Sequence, residues 1–496
     1  MRRAIRFLRA GSVVELADFA PDATLLDHLR QVDRRTGAKE GCGRGECGSC
    51  TVALGSCRNG SVIYEPINAC MTLLGTLDGK ELVTIEDVSG RSGARLHPVQ
   101  EALLAHHSPQ CGFCMPGMVM ALFTLFHSDV TVDRHRAAAW LAGNLCRCTG
   151  YRPIIDAAVS VCSTSPPRRD AFANAARRTL RQLAAIADDD DIVVGDDRRF
   201  FAAPSSLDRL AALVAGHHDA ILIAGASDVL PKAARDHGTL AKIIHLGRVP
   251  ELRRLTDTEA GLAIGAAVPL AALEPAMTAI DPDLGALCRR FGAGQVRAVA
   301  TLGGNLANAD PAADLPPALM ALGATLELRH DCRLRRVPVE EYYLGPGRQD
   351  RSRGEFITEV TVPKLALDQL FRCYKVAKRY DNDRAILVGA FRFTLERGVI
   401  AASRIAFAGL APVPTRALVT ERSLRGLSLA ERGPWTPAIA MLAEDFTPPG
   451  DERATAAYRL DTAKALLLKA LTEVRGAASA STRIAQTREV VLEHLG

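Results

Sequence analysis

No stretch of the 496-residue chain approaches the roughly 20 consecutive apolar residues that a membrane-spanning helix requires. The N-terminus, MRRAIRFLRAGS, lacks a signal-type apolar core, because Arg6, Arg9 and Glu15 interrupt it, so export is not expected. Charge of one sign is missing too. Sixty-one basic residues face 56 acidic ones, for a net +5, which leaves no electrostatic footprint for nucleic acid. The 13 cysteines also lack a disulfide pattern. With eight of them set aside for the spacings described next, Cys57, Cys162, Cys288, Cys332 and Cys373 form an odd, scattered set that suits buried thiols in a reducing compartment, the cytoplasm. Asn59-Gly60-Ser61 matches a glycosylation sequon, but its flanks read as a hairpin with an Asn-Gly turn. With 48% apolar residues, the chain is long enough for roughly three or four globular domains.

What is present is thiol chemistry. Cys42-x4-Cys47-x2-Cys50, completed by Cys70, has the plant-type ferredoxin spacing for a [2Fe–2S] cluster. Glycines between these thiols let the backbone curl towards a cluster and point N–H groups at its sulfurs. Gly43-x-Gly45-x-x-Gly48 satisfies the dinucleotide fingerprint, yet it interleaves with thiols and is followed by strand-like TVAL, which excludes that reading. The second set is Cys111-x2-Cys114 with Cys146-x-Cys148. Pro116 and Pro153 follow its two halves at expected helix starts, so two helix N-termini would converge on one anionic thiolate site. Zinc is the alternative for the second set alone; its place beside a plant-type set favours iron.

Residues 1–84 alternate as strands around turns, with a helical run at Thr24–Val32, and predict a β-grasp ferredoxin-like domain. Residues 85–163 carry four runs of helical spacing, around Val99, Met118, Ala137 and Ile155, and predict a four-helix bundle holding the second cluster. Residues 164–193, an arginine- and alanine-rich helix-like stretch followed by four aspartates, read as a linker. From 194 onward strands and helices mix in an α+β pattern with two small-residue turns. One is Leu222-Ile223-Ala224-Gly225-Ala226-Ser227-Asp228; the other runs from Ala300 through Thr301, Gly304, Asn305, Ala307 and Asn308 to Asp314. Such turns let backbone N–H groups and hydroxyls meet a pyrophosphate. A chain that moves single electrons needs a group that converts them into pairs, and flavin does this.

The motifs GCGRGECGSCTV, QCGFCMPG, GNLCRCTGYRPI, VATLGGNLANADPAAD and FRCYKVAKRYDND, in this order, resemble the molybdenum hydroxylases over nearly the whole chain. The resemblance is closest to the iron–sulfur and flavin part of the bacterial members that oxidise hypoxanthine and xanthine to urate. It implies an α+β multidomain fold, with an FAD-binding domain of the molybdenum hydroxylase and vanillyl-alcohol-oxidase-like type over 194–367 and a C-terminal α+β flavoprotein domain over 368–496. It implies Cys42, Cys47, Cys50 and Cys70 for the cluster nearer flavin, and Cys111, Cys114, Cys146 and Cys148 for the cluster nearer molybdenum. Gln110 matches a pterin contact. Phe291, Ile357 and Lys375 join the two turns as FAD contacts, with Lys375 expected near the flavin N1 edge.

Molybdopterin would sit in a separate large subunit, in a dimer of heterodimers, with NAD as co-substrate. No hydroxylation base is expected in this chain, and His97, His106, His107, His217 and His218 read as ordinary helix or surface residues. The first flavin turn departs from the usual GGTD or GNTE, and Asp310 stands where relatives carry serine, which places an added carboxylate near the diphosphate. Asp381-Asn382-Asp383 is expected to form a negative loop near the flavin. The alternatives are an aldehyde, carbon monoxide or N-heterocycle dehydrogenase of the same family, or a stand-alone NADH:acceptor reductase.

Overall fold

A computed structural model describes residues 1–91, 96–163, 167–236 and 238–476. The end of the expected 368–496 domain, from 477, and linker positions 164–166 lie outside the described residues. The chain forms two units, Met1–Val249 with Gly292–Ala300, and Pro250–Phe291 with Thr301–Gly496.

The first unit opens with β1 (Ile5–Arg9), β2 (Ser12–Leu16), β3 (Thr51–Arg58), β4 (Ser61–Asn68) and β5 (Glu81–Val83) in the order β2-β1-β5-β3-β4. Only β1 and β5 are parallel neighbours. The β3–β4 hairpin reverses at Asn59 and Gly60, with φ of 49° and 75°, the paired left-handed turn expected for Asn-Gly. The run at Thr24–Val32 becomes the helix Leu25–Asp27, capped by the Thr24 hydroxyl, followed by a wider turn over His28–Val32. It buries Leu25, Leu26 and Leu29 under the sheet, which leaves the connection before β3 free to form the first thiol loop.

A short helix, Ile85–Arg91, is followed by four bundle helices: Pro98–Ala105, Met115–Phe126, Arg134–Leu141 and Arg152–Val161. They share a core of Val99, Leu103, Met118, Leu122, Leu125, Leu141, Ile154 and Ala158. Pro116 and Pro153 stand in first turns, where a missing N–H costs nothing.

The structure corrects the linker reading of 164–193. Ala171–Ile186 is a 16-residue helix with Phe172, Thr179, Leu183 and Ile186 buried. Leu183 and Ile186 pack on Leu8, and Phe172 packs on Tyr64 and Phe123. The buried Arg168 guanidinium donates to the carbonyls of Leu125, Phe126, Ser128, Val130 and Cys162, where a helix end leaves acceptors unsatisfied. The aspartates are partnered as well: Asp188 by Arg2 and Arg248, Asp190 by the N-terminal amine, Asp191 by Ser205 and Arg209.

A second sheet of this unit, ordered β6-β7-β9-β8, comprises β6 (Ile192–Gly195), β7 (Phe200–Ala203), β8 (Ile221–Ile223) and β9 (Lys242–His245). β8 and β7 both run parallel to β9.

The second unit contains β10 (Leu255–Thr258), β11 (Gly261–Gly265), β12 (Thr325–His330), β13 (Arg333–Pro338), β14 (Tyr343–Gly345), β15 (Arg348–Gln349) and β16 (Phe356–Val362). Five of these form an antiparallel sheet ordered β10-β11-β16-β12-β13. A further antiparallel sheet, β17 (Gln369–Val376), β18 (Leu387–Glu396), β19 (Val399–Ala408) and β20 (Thr415–Arg416), is covered by the helix Ala456–Val474 over Phe391, Phe407, Trp435, Leu467 and Leu471.

Candidate cofactor sites

The loop between Gly41 and Cys50 brings three thiols together, and the turn after β4 adds the fourth. Cys50 Sγ lies 3.4 Å from Cys70 Sγ, both buried, while Cys42 and Cys47 make the other hydrogen-bonded pair. Cys42 Sγ accepts backbone N–H groups of Glu46 at 3.2 Å and Cys47 at 3.3 Å. The Cys47 hydrogen bond and these backbone donors pull the Cys42 thiol down to about 5, while Cys47 is pushed up. Cys50 is held low by Cys70, and Cys70 is raised in return. Two thiol pairs with backbone donors aimed at sulfur are what a [2Fe–2S] cluster needs, one pair for each iron, and the residues fit that group.

The second set pairs in the same way, Cys114 with Cys146 and Cys111 with Cys148. The first pair is buried and the second exposed. Burial pushes Cys114 up to about 12, whereas Cys146, despite its own burial, is lowered by the Thr149 hydroxyl at 3.2 Å and by backbone donors. This set also fits a [2Fe–2S] group. Gln110 is exposed beside Cys111, as are Phe113 in the same segment and Leu145 next to Cys146, at 47% and 41%. The two thiol sites are one hydrogen bond apart: Leu145 N, next to Cys146, donates to Cys47 O at 2.9 Å.

The turn Leu222–Asp228 joins β8 to the helix Val229–Arg235. Gly225 comes so close to the following flavin segment that a Cβ there would stand 1.9 Å from Val299 O and 2.9 Å from Ala300 N. The turn and Ala300 therefore lie side by side in the first unit. Ala226 has φ +57°, a left-handed conformation that glycine or asparagine takes more readily, which accounts physically for GGTD and GNTE at this turn. Releasing that strain is worth about 1–2 kcal/mol, against about 0.5–1 kcal/mol for glycine's extra freedom in the unfolded chain. Ala226→Gly should therefore raise unfolding stability by about 0.5–1 kcal/mol in denaturant titrations, with FAD content retained.

In the second unit, Thr301 caps the helix Leu302–Ala307 through Gly304 N at 3.1 Å. Gly304 and Asn308, one turn apart, are exposed, and a Cβ on Gly304 would meet only the Thr301 hydroxyl. Asn305 Oδ1 is buried without a hydrogen-bond partner. An orphaned buried acceptor beside an open glycine face is a cradle for a polar ligand, and it fits flavin nucleotide. Lys375 is buried: Nζ donates to Asp314 at 2.6 Å and to Arg290 O at 2.9 Å. Phe291 follows that carbonyl, and Ile357 is buried in β16. Burial pushes Asp314 up even with Lys375 against it.

Asp310 is not a free carboxylate. Arg384 Nη2 binds both its oxygens, at 2.5 and 2.6 Å, so the added charge is met by a guanidinium. Nor is 381–383 simply negative, since Asp383 accepts the N–H of Arg379 and faces the guanidiniums of Arg379 and Arg453. Of the histidines, His97 departs most from expectation, being fully buried against Asp170.

Residues 84–159 match a [2Fe-2S] binding domain, 197–365 the FAD binding domain in molybdopterin dehydrogenase, and 372–474 the CO dehydrogenase flavoprotein C-terminal domain. The chain is thus an iron–sulfur flavoprotein. Xanthine dehydrogenase 2 of Arabidopsis thaliana is 31% identical over 486 residues, 83% of this chain but 35% of its own length, so the chain spans about a third of that relative. Among solved structures, carbon monoxide dehydrogenase from Hydrogenophaga pseudoflava is 26% identical with a TM-score of 0.53, over 57% of this chain and 99% of that one. Quinoline 2-oxidoreductase from Pseudomonas putida 86 is 26% identical with a TM-score of 0.51, over 55% and 95%. The chain belongs to the molybdenum hydroxylase family, as its [2Fe–2S]- and FAD-bearing part.

Proposed function

We propose that the chain is the electron-transfer subunit of a xanthine dehydrogenase, in which hypoxanthine and xanthine are oxidised to urate on a molybdenum-bearing partner subunit and NAD is reduced at the flavin. The observation that favours this reading over a carbon monoxide or quinoline enzyme is coverage. The plant xanthine dehydrogenase matches iron–sulfur and flavin parts in one stretch over 83% of the chain, whereas the matched carbon monoxide and quinoline chains reach only 57% and 55%. The exposed pair Cys111 and Cys148, with exposed Gln110 next to Cys111 in the chain, suits a pterin-carrying partner, since it offers thiols and an amide.

Electrons would enter at the exposed Cys111 and Cys148 side and cross by way of the Leu145–Cys47 hydrogen bond. They would leave through FAD. The flavin contacts we assign are Leu222–Asp228 and Ala300 in the first unit, and Phe291, Thr301, Gly304, Asn305, Ala307, Asn308, Asp314, Ile357 and Lys375 in the second. Bound FAD supplies the exchange between single electrons and a hydride. The chain's own residues exclude water around Asp314 and Lys375 and leave an open glycine face at Gly304. No helix among the described residues is long and apolar enough to cross a membrane. We place the protein in the cytoplasm, as a dimer of heterodimers, in keeping with thiol sites that oxidation would destroy.

The carbon monoxide dehydrogenase reading draws support from the domain matched over 372–474. The two separate in one experiment on material purified from the native host. NADH formed from xanthine and NAD, with molybdenum in a co-purifying large chain, is the expected result. Activity with carbon monoxide, an aldehyde or quinoline but not xanthine would replace the substrate. NADH-dependent dye reduction without molybdenum or partner would leave a stand-alone reductase.

A further inference from the structure

Three backbone stretches of the first unit meet at one point between the two thiol sites, and each does so through a glycine. A Cβ on Gly48 would stand 2.2 Å from Gly143 O, one on Gly117 2.1 Å from Gly48 O, and one on Gly143 2.0 Å from Gln295 Oε1. Gly48 lies between Cys47 and Cys50, Gly117 three positions after Cys114, and Gly143 three before Cys146. The side chain inserted at this point comes from outside both thiol sets. Gln295, fully buried in the short helix Gly294–Arg297, donates from Nε2 to Asn144 Oδ1 at 2.7 Å and to the Thr51 hydroxyl at 3.3 Å.

Asn144, also buried, donates its own amide to Gly48 O at 2.9 Å and to Thr51 Oγ1 at 3.2 Å. Thr51 in turn donates its hydroxyl to Gly48 O at 2.7 Å and its N–H at 3.1 Å. The Gly48 carbonyl thus receives three donors. The peptide before it carries the Cys47 carbonyl that takes Leu145 N–H. Gln295 Oε1 itself is buried without a partner, a desolvation cost that plain packing would avoid with an apolar residue. The segment that seats Gln295 also ends in Val299 and Ala300, which lie against Gly225 of the first flavin turn.

We propose that Gln295 is a positioning residue of the electron path: through Asn144 it fixes the Gly48 peptide, and with it both the first thiol loop and the Cys47–Leu145 bridge between the two sites. The proposal rests on the reading of the eight cysteines as cluster ligands. The Gln295 amide touches no thiol; it acts by holding Asn144 in the one orientation that aims an N–H at Gly48 O while its own oxygen accepts.

The test uses the whole enzyme, as wild type, Gln295→Met, Asn144→Ala and the double variant. In each, the electron paramagnetic resonance signals of the reduced clusters are recorded, with the rate at which electrons pass between clusters after rapid reduction. Gln295→Met should displace the signal and midpoint potential of the cluster on Cys42, Cys47, Cys50 and Cys70. It should also slow the transfer of electrons between the clusters. Asn144→Ala should do the same, and the double variant no more than Asn144→Ala alone, because both act through one chain of contacts. Thr51→Val removes the hydroxyl at the centre of the network without changing side-chain shape, and should give the same displacement if Gln295→Met does not accumulate folded. A folded variant that melts lower yet keeps signals, potentials and transfer rate would overturn the proposal and leave Gln295 a packing residue. Absence of both cluster signals from the wild type would overturn the cluster reading and the proposal together.

Discussion

Cys148→Ala should yield a folded chain with half its iron, one cluster signal instead of two, and an unchanged flavin content, because on the proposed ligand assignment each four-thiol site would hold the two irons of a single [2Fe–2S] group. The side chain is exposed and its only thiol partner is Cys111, so little packing is lost. Xanthine should then fail to reduce the flavin, while NADH continues to reduce it and to drive dye reduction. The asymmetry follows from position: the second thiol site is the one whose outer pair faces solvent, beside Gln110 and Phe113, and the first site reaches it through Leu145. Cys47→Ala should likewise halve the iron, but with the other signal lost. Iron analysis, electron paramagnetic resonance and the two reduction assays decide the matter together. Unchanged iron in either variant would remove that cysteine from the ligand set.

The features legible in the sequence are those governed by short-range rules. Thiol spacing, the Asn-Gly reversal at 59–60 and the prolines opening two bundle helices each depend on neighbours a few positions away, and each appears where expected. What escaped depends on partners far along the chain. The aspartates at 188, 190 and 191 look like a solvated run because Arg2, Arg248, Met1 and Arg209 are invisible from 164–193. Asp310 looks like an intruding charge until Arg384 is placed on it. Lys375 reads as a free cation for the flavin, yet it spends its charge on Asp314, 61 positions away. A signal was present for the helix Ala171–Ile186: Phe172, Thr179, Leu183 and Ile186 recur at helical spacing within an arginine- and alanine-rich stretch. Gln295 carried none, since a single glutamine in an α/β segment has no pattern.

Asp170→Ala should lower unfolding stability by about 3–5 kcal/mol, the cost of leaving buried polar partners orphaned together with a lost helix cap. One Asp170 oxygen faces His97 Nε2 at 2.6 Å and His127 Nε2 at 2.9 Å, and the other accepts Ala173 N at 2.7 Å as the cap of Ala171–Ile186. These three groups are the one set of potential metal ligands among the described residues outside the two thiol sites. The hydrogen-bonding pattern favours a proton over a metal. His97 Nδ1 accepts the N–H of Val99, which places the ring hydrogen on Nε2 and makes that atom a donor to the carboxylate. Burial alone would push Asp170 up, but hydrogen bonds from His127 and His97, the His127 charge and the Ala173 N–H outweigh it and hold the carboxyl well below the usual carboxylate range. A depressed folded-state value means that the stabilisation is fully present above the unfolded value of about 4 and is lost as pH falls towards the folded value. Denaturant titrations between about pH 4 and pH 2 should show wild-type stability falling with a slope that includes one proton for this group, and Asp170→Asn lacking that proton. Equal slopes would mean that the carboxylate is not the anchor. If the slopes differ, the segment at 167–186 is held to the bundle by one buried charge as well as by the five carbonyls on Arg168, and zinc should not rescue the variant.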